Sequence, residues 1–290
     1  MSVQLLLCTD LDRTLLPNGP QPESEQARRI FSALAARPEV TLAYVTGRDR
    51  QLVKKAIAEY CLPTPDFIIG DVGTTIYEVR AEDWHPWSDW QQEIAPDWAG
   101  LEHSDISDLL GNMDDLQTQE AAKQNRHKVS FYVPLDADTE VLSRNIGRRL
   151  DSSGIRASLV WSIDEPHATG LLDILPASAS KQHAISFLMQ RRNFTLADTV
   201  FAGDSGNDLP VLASGIPAVL VANASADVRG TALQLATAQG HANALYIAQG
   251  GFMGMNGNYS AGVLEGVVHF RPEVRNWLPE NTATVDTNDC

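Results

Sequence analysis

At 290 residues the chain has room for one large or two modest domains, and a hydrophobic content of 43% can build a sizeable core. A net charge of −15, from 22 Lys and Arg against 37 Asp and Glu, disfavours nucleic acid or an anionic membrane as a partner. The three cysteines, Cys8, Cys61 and Cys290, show neither metal-ligand spacing nor a disulfide framework; with no signal peptide or membrane-length apolar run expected, a reducing cytoplasm is the predicted compartment.

The first predicted element is a strand in Leu5-Leu6-Leu7-Cys8-Thr9, which runs into Asp10-Leu11-Asp12-Arg13-Thr14. An apolar run of this length fits a strand buried on both faces. Ligands of open α/β sheets sit at the carboxyl ends of such strands. Residues two apart in extended chain point to one side, so Asp10 and Asp12 can serve one site. Asp10, nearer the strand, suits a nucleophile and metal ligand; Asp12, one step into the loop, suits a general acid/base. A surface turn is the alternative, because Asp is common there.

A turn at Pro17-Asn18-Gly19-Pro20 follows, then a helix over 24–36. A strand over 40–45 ends in Thr46-Gly47-Arg48, and Asp49 is a plausible cap for a helix to residue 60. A third strand, 67–69, leads into Gly70-Asp71-Val72-Gly73-Thr74. This β-α-β-α-β order argues a parallel sheet with right-handed crossovers. The texture then changes. A hairpin arm is read at 75–79, and residues 82–98 hold Trp84, Trp87, Trp90 and Trp98. A polar stretch leads to a strand at 127–133, a helix at 138–150 and strands at 156–163 and 171–175. The sheet pattern resumes with a helix at 178–192, a strand at 199–202 running into Gly203-Asp204-Ser205-Gly206-Asn207-Asp208, and strands at 218–221 and 244–247. A closing helix is read at 259–270, and the tail from 279 to 290 is expected to fray. The expected fold class is α/β: a Rossmann-like parallel-sheet core with helices on both faces, 1–81 and 175–290, and an inserted α+β domain, 82–174.

Four segments recur at strand ends: Asp10/Asp12, Thr46, Lys181 and Asp204/Asp208. Each alone has a plain reading; a lone lysine is usually a solvated one. Together they describe a site for phosphoryl transfer. A carboxylate that attacks phosphorus needs its charge screened, and Mg²⁺ is a hard cation that takes one or two carboxylates and keeps waters. Asp10 and Asp204 supply them. The Thr46 hydroxyl, the Gly47 amide and the Lys181 ammonium are fixed donors for phosphoryl oxygens. Asp12 protonates the leaving oxygen and then acts as base on water. Asp208 holds either a metal-bound water or Lys181.

These segments, in this order, resemble the four motifs of the haloacid dehalogenase superfamily. The domain between the second and third resembles that superfamily's large α+β cap. Asn125-Arg126-His127-Lys128-Val129-Ser130-Phe131, Leu172-Asp173-Ile174-Leu175-Pro176 and the segment Ala261 to Phe270 resemble the sucrose-phosphate phosphatases. The resemblance implies that Asp10 is the nucleophile and Asp12 the acid/base. It implies Mg²⁺ on the Asp10 and Asp204 carboxylates and the Asp12 main-chain carbonyl, with Asp208 nearby. Phosphate contacts would come from Thr46, Gly47, Lys181 and Asn207, and substrate contacts from Arg48, Gly73, Thr74, Lys128 and Asp173. Arg48 is alternatively only a helix-start residue. Two departures stand out. Arg13 follows the second aspartate where Gly, or Asn in the bacterial sucrose-phosphate enzymes, is expected. Thr74-Thr75 follows Gly73 where a small residue and then an acid are expected in the sugar-contacting loop.

The expected activity is Mg²⁺-dependent hydrolysis of a sugar phosphate, sucrose 6-phosphate first, through an aspartyl phosphate on Asp10. Mannosylfructose phosphate or a broader set of sugar phosphates is the alternative. A phosphomutase and a non-enzymatic sensor are the rivals from other classes, and an acid/base aspartate argues against the sensor. A monomer is expected, with association with a sugar-phosphate synthase left open. The tryptophan cluster is read either as a sugar-stacking platform or as the small core of the inserted domain.

Overall fold

The structure is a computed structural model and describes residues 4–81, 83–164 and 167–279. The tail expected to fray lies, from residue 280 on, outside them. β1 (Leu5–Thr9) is buried along its whole length, as an unbroken apolar run demands when helices cover both faces of a sheet. α1 (Ala27–Ala35), β2 (Val40–Val45), α2 (Arg50–Glu59) and β3 (Phe67–Gly70) follow, and the three strands pair in parallel. The Asp49 side chain accepts the amide N–H groups of Gln51 and Leu52 at the start of α2, satisfying donors that the first turn leaves without partners.

β4 (Thr75–Arg80) turns back antiparallel to β3. β5 (Asp83–Pro86) pairs with β4, and α3 (Ser88–Ile94) buries Trp90 against the core. The domain boundary expected at residue 82 therefore moves: a hairpin and a helix complete the core before the chain leaves it. Along β5 only Trp84 is buried, too little apolar content to announce a core strand.

The inserted unit holds α4 (His103–Leu110), β6 (Gln117–Thr118), β7 (Val129–Val133), α5 (Thr139–Ser152), β8 (Ala157–Asp164) and β9 (Thr169–Pro176). Its four strands form an antiparallel sheet ordered β6-β7-β9-β8. Leu172 and Ile174 of β9 join Trp98, Phe131 and Ile146 in a separate hydrophobic core. Leu171 and Asp173, one residue out of step, point to the other face, because strand side chains alternate.

The core resumes with α6 (Lys181–Arg192), β10 (Thr199–Gly203), α7 (Leu209–Leu212), β11 (Ala218–Leu220), α8 (Ala226–Ala238), β12 (Leu245–Ile247) and α9 (Ser260–Phe270). The eight-stranded sheet is ordered β12-β11-β10-β1-β2-β3-β4-β5. The chain runs outward from β1 through β2 and β3 on one side and through β10 to β12 on the other. The crevice beyond β1 is therefore the switch point where open α/β sheets bind ligands. No helix among the described residues is long and apolar enough to cross a membrane. Cys8 is free and buried.

Candidate active site

Three strand ends converge in that crevice. Asp10 follows β1 and donates its N–H to the Ala202 carbonyl of β10 at 2.9 Å. Thr46 follows β2 and Asp204 follows β10. Lys181 opens α6 behind the Ser180 cap, whose hydroxyl accepts the His183 N–H. The Lys181 ammonium donates to Asp10 Oδ1 at 3.0 Å, Asn207 Oδ1 at 3.1 Å and Asp208 Oδ1 at 2.7 Å, which employs all three of its hydrogens. Its side chain is 1% exposed, so it is no solvated surface lysine.

The second Asp208 oxygen accepts the N–H groups of Asp204 and Ser205, each at 3.1 Å, and the Ser205 hydroxyl at 3.2 Å. Gly203 makes this possible: a Cβ there would sit 2.6 Å from the Asp208 carboxyl carbon. Of the two roles open to Asp208, the geometry gives it the Lys181 one. Carboxylate oxygens of Asp10, Asp204 and Asp208 nevertheless lie within 4.8 Å of one another.

The electrostatics follow from this crowding. Burial pushes the Asp10 carboxyl well above the usual range; Lys181 opposes this, and the Asp208 and Asp204 charges add to it. Burial and the Asp208 charge push Asp204 up to about 7, against the Thr14 hydroxyl, Arg13 and Lys181. Burial works against the Lys181 ammonium, but Asp10 and Asp208 outweigh it and hold its pKa above the ordinary lysine value. Clustered carboxylates that raise one another's pKa are relieved by a bound cation. A donor set made only of hard oxygens fits Mg²⁺.

Asp12 is tuned the opposite way. Burial raises its pKa, but Arg48 outweighs it and holds the carboxyl below the usual range, with help from Asn18. The Arg48 guanidinium is bidentate, Nε to Oδ2 at 2.7 Å and Nη2 to Oδ1 at 2.6 Å, and the Asn18 side-chain amide donates to Oδ1 at 2.7 Å. Arg48, open in sequence between a ligand contact and a helix-start residue, is here a clamp on Asp12. So held, Asp12 is a ready base; giving a proton to a leaving oxygen requires the clamp to loosen.

A cavity of about 750 Å³ separates the strand ends from the inserted sheet. Asp10, Asp12, Gly47, Arg48, Lys181, Asp204 and Asn207 line it from the core, and Lys128 and Asp173 from the cap. Thr46 and Asp208 are fully buried behind it. Arg13, Arg48, Lys123, Lys128 and Lys181 surround it, which gives an acidic protein a local field for an anion.

Gly73 and Thr74, expected against the substrate, are not among the lining residues. The Gly73 carbonyl accepts the Trp90 indole N–H at 3.1 Å, and the Thr74 hydroxyl accepts from the Asn125 side-chain amide at 2.9 Å. A Cβ on Gly73 would sit 2.5 Å from the Ser180 carbonyl carbon, so Gly73 is packed within the core, while Thr74 forms the seam between core and cap. The tryptophan cluster is likewise packing: Trp84, Trp87 and Trp90 lie in or against the core, and Trp98 in the cap core. The inserted sheet lines the cavity with Ser158 and Ser162 of β8, beside Gln119 and Lys123; Trp161, between the two serines, packs against the cap core and donates its indole N–H to Ser143 of α5 at 3.2 Å. Sequence reading missed these four cavity residues. The alternation of the cap strands was the available signal, but it cannot say which face meets the core.

Fold, motif order and cap together define a hydrolase of the haloacid dehalogenase type. A family model described as sucrose-6F-phosphate phosphohydrolase matches residues 3–271. The chain belongs to this family of phosphoric monoester hydrolases. A protein of Nitrosococcus oceani named as a HAD-like hydrolase is 55% identical over 96% of this chain and 75% of its own length. Sucrose-phosphatase 1 of Nicotiana tabacum is 26% identical over 99% of this chain, which spans 63% of the tobacco protein. The mannosylfructose-phosphate phosphatase of Agrobacterium fabrum is 31% identical over 76% of this chain and 83% of its own. Among solved structures, the sucrose-phosphatase of Synechocystis sp. PCC6803, in complex with sucrose and phosphate, has the same fold, with a TM-score of 0.71 and 23% identity over 93% of this chain and 99% of that one.

Proposed function

We propose that this protein is a Mg²⁺-dependent phosphatase that releases phosphate from a disaccharide phosphate, sucrose 6-phosphate first, through an aspartyl phosphate on Asp10. The observation that carries this reading is the buried Asp10–Lys181–Asp208 cluster at the floor of a cavity roofed by a second sheet. Mg²⁺ held by the Asp10 and Asp204 carboxylates and the Asp12 main-chain carbonyl would neutralise charge on the transferring group.

The protein's own groups do the rest. Asp10 attacks phosphorus and splits one hard step into two. The Asn207 side-chain amide and the Gly47 N–H at the cavity wall, the Thr46 hydroxyl behind it, and Lys181, once it exchanges its Asn207 contact for the ligand, fix the phosphoryl oxygens. With the Arg48 clamp loosened and a proton taken up from solvent, Asp12 gives that proton to the sugar oxygen and, ionised again, takes one from the water that hydrolyses the acyl phosphate. The cap excludes bulk water and reads hydroxyl groups. A cavity of about 750 Å³ lies in the range of ligand pockets and has room for two sugar rings. A soluble sugar phosphate is an intracellular metabolite, so the reading places the protein in the cytoplasm, as a monomer.

The test is phosphate release from a panel of sucrose 6-phosphate, mannosylfructose phosphate, fructose 6-phosphate, glucose 6-phosphate and an aryl phosphate. A site built on sugar hydroxyls discriminates steeply. A kcat/KM for sucrose 6-phosphate roughly 10²-fold or more above the monosaccharide phosphates is expected. Equal values would leave a phosphatase and remove the disaccharide. A preference for mannosylfructose phosphate would move the assignment to that substrate, which the Agrobacterium relative favours. Transfer of phosphate to a second position on the sugar, without release, would make the protein a mutase.

The same panel tests Asp12. Asp12→Ala keeps the main-chain carbonyl, and loss of a general acid/base typically lowers rates by about 10²–10⁴-fold. Because an aryl oxide leaves without a proton, the loss on the aryl phosphate is expected to be at least tenfold smaller. Equal losses on both substrates would remove Asp12 from the acid role.

A further inference from the structure

The cap meets the core through a buried ion pair that the chemistry above does not use. Lys128, just before β7, places Nζ 2.7 Å from Asp71 Oδ1, in the loop after β3, with side chains 5% and 7% exposed. Two charges removed from water are a poor source of stability, but they enforce one arrangement, because separating them leaves each without a partner. Both ends of this pair are anchored. The Lys128 N–H and C=O pair with Asn125, whose side-chain amide reaches Thr74. Asp71 and Val72 have φ of 51° and 59°, a region that side chains avoid unless the surroundings over-determine it. Here the Asp71 N–H donates to the Arg48 carbonyl and the Val72 N–H to the Thr46 carbonyl. The Asp71 loop is thus bonded at one end to the backbone of the phosphate-facing segment and at the other to the cap. Lys128 itself lines the cavity. Asp71 occupies one of its three N–H donors, which leaves the others for a ligand.

We propose that Asp71 is a positioning residue for the sugar half of the substrate: it fixes the Lys128 ammonium at the cavity wall and sets the cap's register over Asp10. The proposal rests on the sugar-phosphatase reading. A phosphate group alone is held by the core and needs little of the cap. A sugar phosphate must meet core and cap at once, so an error in cap register falls on the sugar.

Asp71→Ser is expected to lower kcat/KM about 10- to 100-fold for the sugar phosphate that the wild type hydrolyses best, chiefly through KM, the scale on which misplaced binding groups act. The loss on an aryl phosphate is expected to be at least tenfold smaller. Thr75 offers a rescue, because its Oγ1 lies 3.4 Å from Asp71 Oδ2, and a longer acid there can reach Lys128. Asp71→Ser with Thr75→Glu is expected to recover most of the sugar-phosphate kcat/KM, with KM returning toward wild type. Parallel losses on both substrates, or recovered melting temperature without recovered KM in the double variant, would show Asp71 to be only structural and overturn the proposal. A wild type that prefers no sugar phosphate over the aryl phosphate would overturn the functional reading and this proposal with it. Wild-type preference with parallel losses in Asp71→Ser would overturn the proposal alone.

Discussion

Asp10→Asn is expected to abolish phosphate release from every substrate while the protein stays folded. Asparagine keeps the shape of the side chain, and its carbonyl oxygen can still accept from Lys181, which also retains Asp208 and Asn207. Nothing is left to attack phosphorus, and losses on the order of 10⁴-fold or more follow removal of a nucleophile. The effect on stability should be the reverse of the usual core substitution. Burial raises the Asp10 pKa, and two neighbouring carboxylates raise it further, so its ionised form is costly where it sits and a neutral isostere removes that cost. Phosphate release and a thermal melt on the same preparation check both parts. A folded variant with substantial turnover would reject the covalent scheme, and a variant that unfolds would reject the electrostatic account of the cluster.

Metal removal should be as complete. Exhaustive chelation is expected to stop turnover and Mg²⁺ to restore it; Ca²⁺ should bind without restoring it, because its larger, variable shell misplaces the carboxylates. A readout independent of activity follows from the crowding of Asp10, Asp204 and Asp208. A cation that binds only the folded protein stabilises it by about 2.7 kcal/mol at 100 times its dissociation constant. Mg²⁺ should therefore raise the melting temperature of the wild type and do so far less for Asp204→Asn, whose ligand is neutral. Full activity after chelation, or an equal Mg²⁺ shift in both proteins, would remove the metal from this site.

The legible part of the chain was legible for local reasons. The apolar runs at 5–9, 40–45, 67–70 and 199–203 are strands because nothing else of that length hides so many β-formers. Asp49 was identifiable as a cap because its side chain serves the turn immediately beyond it. α8 went unread: only Ala232 and Ala236 are buried along it, so its periodicity is faint, and Ser225 at its start was the one usable signal. β5 and α3 were assigned to the wrong domain because pairing partners, not composition, decide to which sheet a short strand belongs. The acid expected after Thr74 is absent from position 75, but Asp71, four residues earlier, brings a carboxylate to the same loop. Only folded geometry equates the two positions.

The sequence by itself determined the order of Asp10, Thr46, Lys181 and Asp204 and their place at element ends, because each sits at the end of a strand or the start of a helix whose pattern is local. Their charge states and company were decided by tertiary structure. Asp12 lies 36 positions from the arginine that clamps it, and Lys181 lies 171 positions from Asp10. A pKa depends on burial and on neighbours within a few ångströms, and neither quantity has a period or a spacing along the chain. The cavity wall follows the same rule. Thr74 closes a seam, while Ser162 and Lys123 face the ligand space, because the packing of one sheet over another selects which face of each strand is seen.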